Sequence, residues 1–262
     1  MEVTALNIFP IKSLGAVSVN QIEAFHLGFE HDRRWMLVDD MGEFLTQRSM
    51  ASMAKFKCRL TDDSILVSYE GDQIEVPFKL YTDTPSRVKV WSSKLKANEV
   101  SSAISDWFSN ALGISARLVK MTDISKRPRR LFVPPFKAEL SFADGYPYLI
   151  LGDASMTTLN DKLQDKVNSN RFRANILIST SEAHEEDNWK SRFTMGTSVF
   201  KVIKPCARCG VVNIDQEDGI KSKEPLKTLT EYRLRRKKIW FGANAICLEP
   251  GQVSVGDNIK FT

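Results

Sequence analysis

The residues best suited to chemistry lie in Lys204-Pro205-Cys206-Ala207-Arg208-Cys209-Gly210, where two of the four cysteines stand close together among basic side chains. Paired thiols in so thiol-poor a chain suit soft-metal or redox chemistry. A thioredoxin-like site would place its first cysteine at a helix N-terminus. Here Val211-Val212-Asn213-Ile214-Asp215 follows, a β-branched run that predicts strand. A structural zinc site needs four ligands, and the other candidates, Cys58, Cys247, His26, His31 and His184, are isolated along the chain. The short spacing and the lack of a secretory pattern argue against a structural disulfide. What remains is one or two thiols in an electropositive loop flanked by Lys204 and Arg208. That setting favours thiolate and suits a nucleophile, a redox thiol or a ligand to a metal carried by a cofactor.

The elements around this loop read as strands for most of the chain. Val3 to Phe9, Val17 to Phe25, Trp35 to Val38, Ile65 to Tyr69, Ile74 to Phe78 and Val88 to Trp91 carry strand patterns, with turns at Asp39-Asp40-Met41-Gly42 and Glu70-Gly71-Asp72. The period then changes: Val100, Ile104, Trp107, Phe108, Ala111 and Leu112 share a helical face, and Gly113 is placed to end it. Trp107 and Phe108 are expected to pack in a core. Lys120 to Lys137, basic and with prolines at 128, 134 and 135, reads as a boundary or a long functional loop. Beyond it come a strand at Tyr148 to Leu151, a helix marked by Met156, Leu159, Leu163 and Val167, and strands at Ile176 to Ile178 and Val199 to Ile203. A helix opened by Pro225 follows, and two final strands, Ala245 to Leu248 and Gln252 to Phe261, join through Pro250-Gly251. Many strands and few helices predict a β-rich, barrel-containing α+β architecture.

Composition narrows the function classes. Of 262 residues, 42% are hydrophobic and 26% charged, which excludes a disordered or fibrous chain. No apolar run approaches the ~20 residues of a membrane span, so no membrane partner is expected. Four cysteines without a framework spacing predict a reducing compartment, the cytoplasm. The net charge is +5, and Lys126-Arg127-Pro128-Arg129-Arg130 and Arg233 to Lys238 are the densest basic runs. Nucleic-acid binding calls for interleaved aromatics or a known module. Neither is present, so no nucleic-acid partner is predicted. An anionic cofactor or substrate fits the first run, because arginine forks match phosphate.

Several separated segments, taken together, resemble one family. They are Phe9-Pro10-Ile11-Lys12-Ser13, Asp32-Arg33-Arg34-Trp35, Arg127-Pro128-Arg129-Arg130, Arg171-Phe172-Arg173-Ala174-Asn175 and Glu186-Asp187-Asn188-Trp189. The cysteine loop with Asp215 and Gly219, and Val255-Gly256-Asp257, complete the set. Their order resembles the MOSC-domain proteins, in the branch of the mitochondrial amidoxime reducing component and the bacterial YcbX-type reductases. The resemblance implies an N-terminal β-barrel-like module over residues 1–120, then a MOSC β-barrel domain over 121–262 with a few peripheral helices. It also implies a molybdenum–molybdopterin cofactor whose metal takes one protein cysteine, a soft ligand suited to it.

By position Cys209 matches that metal ligand and the catalytic position, with Cys206 beside it as a neighbouring or spare thiol. Lys12, Ser13, Arg33 and Arg173 match the segments that anchor the cofactor, together with Asn175, which can both donate and accept. Asp144, Gly145 and Tyr146 match its lining, and Arg208 stands within the cysteine loop. Glu186, Asp187 and Trp189 could be structural. Departures from the family pattern fall at Asn213-Ile214-Asp215, Ala174 and Tyr146. The implied activity is reduction of small N-hydroxylated substrates. The chain lacks the clustered cysteines of an iron–sulfur centre, so a separate ferredoxin- or flavoprotein-type protein is expected to supply electrons.

Overall fold

The computed structural model describes residues 1–130 and 137–262. One large sheet dominates the described residues. Across it run Val17–Val19, Val3–Ile8, Ile176–Ile178, Tyr148–Gly152, Lys238–Glu249, Ser198–Ala207, Arg192–Met195 and Lys260–Phe261, with Leu234–Arg235 on the side of Lys238–Glu249. Neighbours are antiparallel except Tyr148–Gly152 with Ile176–Ile178, where a crossover carrying the helix Asp153–Asn160 returns the chain in parallel. A smaller sheet, Gly251–Ser254, Gln21–Phe25 and Gly28–Phe29, shares the same core. There Leu6, Ala24, Phe29, Ile150, Phe200 and Ala245 are buried together.

A second core lies under residues 35–120. The sheet Trp35–Val38, Arg117–Lys120, Ser93–Glu99 and Pro85–Val90 and the hairpin sheet Lys57–Leu60, Ser64–Tyr69 and Asp72–Pro77 form its strands. The helix Ser102–Leu112 covers them. It starts where the Ser101 hydroxyl accepts from the Ile104 amide at 3.2 Å and stops at Gly113, left-handed at φ 68°. Ile104 and Phe108, one turn apart, are its buried stripe. Trp107 is only partly buried and donates to Asp72 at 2.8 Å.

Pairing crosses the division at residue 120. The strands Val3–Ile8, Gln21–Phe25 and Gly28–Phe29 belong to the core of the large sheet, because Val3–Ile8 pairs with Ile176–Ile178 and Gln21–Phe25 pairs with Gly251–Ser254. Between Val3–Ile8 and Gln21–Phe25 the chain dips into the second core, where Ile11 and Leu14 are buried, and it returns there at Trp35.

Four local expectations are corrected. The helix at Met156 ends at Asn160, because the Asn160 side chain binds both the Val167 amide (2.9 Å) and its carbonyl (3.2 Å); Leu163 and Val167 then pack on the same cluster from a loop. Val211 to Asp215 is no strand: Gly210–Asn213 forms one 3₁₀ turn, which buries Val212 against Phe172 and Phe241. Within Lys120 to Lys137, Pro128–Arg130 pairs with Lys137–Glu139, whereas Pro134 and Pro135 lie outside the described residues. Gly251–Ser254 does not fold back on the preceding strand but pairs with Gln21–Phe25. No helix among the described residues is long and apolar enough to cross a membrane.

Candidate functional site

The thiols are aimed by a break in the sheet. Ser198–Ala207 slips register against Lys238–Glu249 between Pro205 and Ala207, opposite Gly242 at φ 72°. The extra residue is on Lys238–Glu249, where Phe241 and Gly242 stand against the single residue Cys206; such a bulge bends its strand and disrupts the ladder locally. A Cβ on Gly242 would meet the Ile150 carbonyl at 2.8 Å, so the close approach also needs glycine. After Arg208, whose amide reaches the Ile239 carbonyl at 2.7 Å, the chain leaves the sheet and Cys209 heads the 3₁₀ turn. Both thiols are free, partly buried, and open into one cleft of about 390 Å³.

The inner end of that cleft is built by three residues with little conformational freedom to spare. Ser13, Arg33 and Arg173 are all left-handed, at φ 70°, 49° and 54°, a conformation non-glycine residues adopt only when their surroundings impose it. Arg33 donates to fully buried Asp32 at 2.7 Å, to the Asn175 side-chain oxygen at 2.9 Å and to the Arg173 carbonyl at 3.2 Å. Asp32 in turn accepts from the Phe9 amide at 2.8 Å. Arg173 donates to the Leu14 carbonyl at 2.8 Å and to Gln216 at 3.3 Å. Both guanidinium carbons lie 4.2 Å from the centre of the Phe9 ring. Burial, and then the charge of Arg33, lower the Arg173 pKa. Asp32 is the carboxylate held directly against this pair. The result is a site where added negative charge would relieve repulsion.

Lys12 and Asp144 form the next layer. Lys12, 6% exposed, donates to the Phe142 carbonyl at 2.8 Å and pairs with Asp144. Burial lowers its pKa to about 8 against the opposing pull of Asp144, with Arg127 and Arg33 adding to the lowering. Burial by itself would raise the Asp144 pKa, but Lys12, Arg48 and the Trp91 indole outweigh it and hold the group well below the usual carboxylate range. Buried Arg127 donates to the Ser141 carbonyl at 2.8 Å and to the Ala143 carbonyl, so this member of the first basic run shapes the Asp144 segment from behind. The side chains of Arg129 and Arg130 fall outside the described residues.

All ten residues anticipated from the sequence, Lys12, Ser13, Arg33, Asp144, Gly145, Tyr146, Arg173, Asn175, Arg208 and Cys209, line this one cleft. Two do so in a supporting manner. The Asn175 oxygen accepts from Arg33 and from the Leu149 amide (3.3 Å), while its nitrogen donates to the Asn7 carbonyl (3.2 Å), so the amide is engaged inside the protein. Arg208 bonds Cys206 Sγ at 3.3 Å and the Phe172 carbonyl at 2.7 Å. Glu186, Asp187 and Trp189 are structural. Buried Glu186 accepts from the Gly152 amide and Ser155, Asp187 pairs with Arg233, and Trp189 packs on Phe193 and Phe261. Cys58 stays in the second core, its pKa pushed up to about 12 by burial. Among the described residues no three His, Cys, Asp or Glu side chains form a metal-holding group.

Sequence reasoning missed Arg48, Gln47 and Gln216. Arg48 donates to Cys209 Sγ at 3.3 Å, approaches Asp144 at 3.5 Å and lies 4.5 Å over the Trp91 ring. Gln47 and Gln216 exchange two amide bonds of 3.1 Å, and Gln47 also binds the Ser13 carbonyl at 2.8 Å. Nothing local marks Thr46-Gln47-Arg48; it meets the cysteines only through the fold.

Comparison with known proteins matches residues 1–115 to the MOSC N-terminal beta barrel domain and residues 137–260 to the MOSC domain. The chain belongs to the MOSC family. Similar to this MOSC protein is mitochondrial amidoxime-reducing component 1 of Homo sapiens, 29% identical across 98% of this chain and 82% of the relative. Mitochondrial amidoxime reducing component 2 of Bos taurus is 30% identical over the same shares. Molybdenum cofactor sulfurase of Arabidopsis thaliana is 29% identical across 91% of this chain, which spans about a third, 32%, of that larger protein. Association with the molybdenum cofactor is therefore a family property.

Proposed function

We propose that this MOSC protein is a molybdenum-cofactor-dependent oxidoreductase that reduces N-hydroxylated compounds, hydroxylamino-purines and amidoximes among them, with electrons from a separate ferredoxin- or flavoprotein-type protein. The observation that carries the reading is the meeting of the Cys209 thiol with the Arg33–Arg173 pair in one cleft. Relatives named for amidoxime reduction support the substrate class. Four free cysteines suit the reducing cytoplasm as its place of work.

The residues present fit the cofactor. A thiolate is a soft ligand for molybdenum, and two guanidiniums that repel one another suit a phosphate. Cys209 would hold the metal, Lys12, Ser13, Arg33 and Arg173 the anionic end, and Asp144, Gly145 and Tyr146 the body of the group. When bound, the cofactor would supply the two-electron chemistry by which N–OH, two electrons and two protons become N–H and water. The chain's own contribution is position and charge. Asp32 and Asn175 fix the plane of Arg33. Arg48 directs a donor at Cys209 Sγ, orienting the sulfur as outer partners orient metal ligands. Lys12, a cation at neutral pH, keeps Asp144 ionised on the cleft wall.

The test is elemental analysis of protein made in a host that assembles the cofactor. Molybdenum is expected near one per chain in the wild type and is expected to fall at least about tenfold in Cys209→Ser. The loaded protein should then turn over an amidoxime or hydroxylamine with a supplied reductant; full loading without turnover on several such substrates refutes the reductase. The likeness to molybdenum cofactor sulfurases favours a second reading, a carrier or sulfur-transfer module. Handover of bound cofactor to an apo-acceptor would support it, and retention would count against it.

A further inference from the structure

The basic run Arg233 to Lys238 ends in a shape that the cleft interior does not use. Leu234 and Arg235 pair with Ile239 and Lys238 around Arg236 and Lys237. Both turn residues are left-handed, at φ 50° and 60°, as a two-residue type I′ turn demands. That turn ordinarily takes asparagine or glycine, so two cations there are held at a conformational cost. All five side chains from Leu234 to Lys238 are exposed. The base is stiff: the Trp240 indole donates to the Arg235 carbonyl at 3.0 Å, Arg233 donates to the Trp240 carbonyl at 2.7 Å, and buried Arg233 pairs with Asp187. Among the described residues no carboxylate pairs with Arg235, Arg236, Lys237 or Lys238, whereas Lys12, Arg33 and Arg171 inside the protein each have one. The tip also borders the site, because Lys238 and Trp240 line the cleft together with Lys204.

A rigid group of unneutralised cations at the mouth of a cleft raises the local potential and draws in surfaces of opposite charge. We propose that this hairpin tip is the docking lip for an acidic face of the electron-donor protein, seating the donor's redox group over the cleft mouth. The proposal rests on the reductase reading. Per turnover the donor side loses two electrons, in two successive dockings where the donor carries one electron, as a [2Fe–2S] ferredoxin does; the N–OH group of the substrate gains them with two protons from solvent, and water leaves. The tip is short and compact, which matches an acidic patch on a globular protein. A nucleic acid would require cations that track a strand, with aromatic platforms between them.

The experiment uses the molybdenum-loaded full chain and an acidic plant-type [2Fe–2S] ferredoxin as probe, with an acidic flavodoxin as a second probe. Affinity is measured by calorimetry for the wild type, for R235E/R236D/K237D and for the charge-keeping R235K/R236K. Aspartate is chosen at the turn because it tolerates left-handed backbone. The reversal is expected to weaken binding at least about tenfold, and a rise in salt should weaken the wild type in the same direction, as for steered charged surfaces. The charge-keeping variant should bind as the wild type does. Unchanged affinity in the reversal, or no wild-type binding to either probe, overturns the proposal. So does equal or tighter wild-type binding to phosphatidylserine vesicles or duplex DNA, lost in the same variant.

Turnover of an amidoxime separates the two readings. With photoreduced deazaflavin, a small dye, the reversal should leave the rate unchanged, while with ferredoxin its KM should rise. A loss with both reductants would place the tip in substrate or cofactor binding and overturn docking. Absence of turnover with both reductants in loaded wild type would refute the reductase, with docking still judged by calorimetry.

Discussion

The two ends of the cleft treat positive charge in opposite ways. At the inner end Arg33 and Arg173 are fixed by Asp32, Asn175, Gln216 and two backbone carbonyls, and they share one aromatic ring. At the mouth Arg235, Arg236 and Lys237 stand in water on a stiff turn. Fixed, partly desolvated donors suit a permanent anion, since their orientation is settled before it arrives. Solvated charges contribute little fixed binding energy but act at a distance. The inner end is built to hold, and the mouth is built to attract.

Substitutions should separate the ends by size of effect. The largest is expected for Arg33→Ala, which leaves Asp32 charged and buried; removing one partner of such a pair costs about 3–5 kcal/mol. Urea unfolding measures it, and a loss under about 1 kcal/mol would mean that the Phe9 amide alone satisfies Asp32. Next, inorganic phosphate should stabilise cofactor-free wild type by about 2–3 kcal/mol at a hundredfold excess over its Kd. Arg173→Ala should abolish that gain, read as a thermal shift; a gain preserved in the variant would move the anion site elsewhere.

Lys12 supplies a pH test. Its pKa is lowered from 10.5 to about 8 in the folded protein. Between those values the unfolded chain binds more protons than the folded one, so this group makes stability rise with pH across the window. The difference between wild type and Lys12→Met should grow there by something on the order of 3 kcal/mol. A flat difference would show that Asp144 compensates the burial in full. The smallest effect belongs to the mouth: R235E/R236D/K237D should change stability by no more than about 0.5 kcal/mol, as solvated surface changes do. A larger loss would mean that the tip is part of the framework, and the contrast between the two ends would fail.

Strand alternation, the Ser101 and Gly113 helix limits and the turn glycines were legible because each depends on neighbours in sequence. The family resemblance then reached ten residues scattered from Lys12 to Cys209, and the cleft contains all of them. Locally determined readings failed where distant contacts intervened. Val211 to Asp215 has strand propensity, yet burial of Val212 against Phe172 and Phe241 is satisfied by a 3₁₀ turn. Leu163 and Val167 have helical spacing, yet the Asn160 clamp ends the helix first.

By itself the sequence determined the β-rich class, the position of the thiols and the types of side chain available to hold an anion. Those follow from periodicity, composition and a pattern of motifs in order. Only the tertiary structure decided that Val3–Ile8 and Gln21–Phe25 pair with strands of the C-terminal half, that Asn175 is spent on holding Arg33, and that Arg48 reaches Cys209 from 161 positions away. The reason is physical. Hydrogen bonds of guanidinium and amide groups act over about 3 Å, and which groups come within that distance depends on how the whole chain packs, a property that no local window of sequence contains.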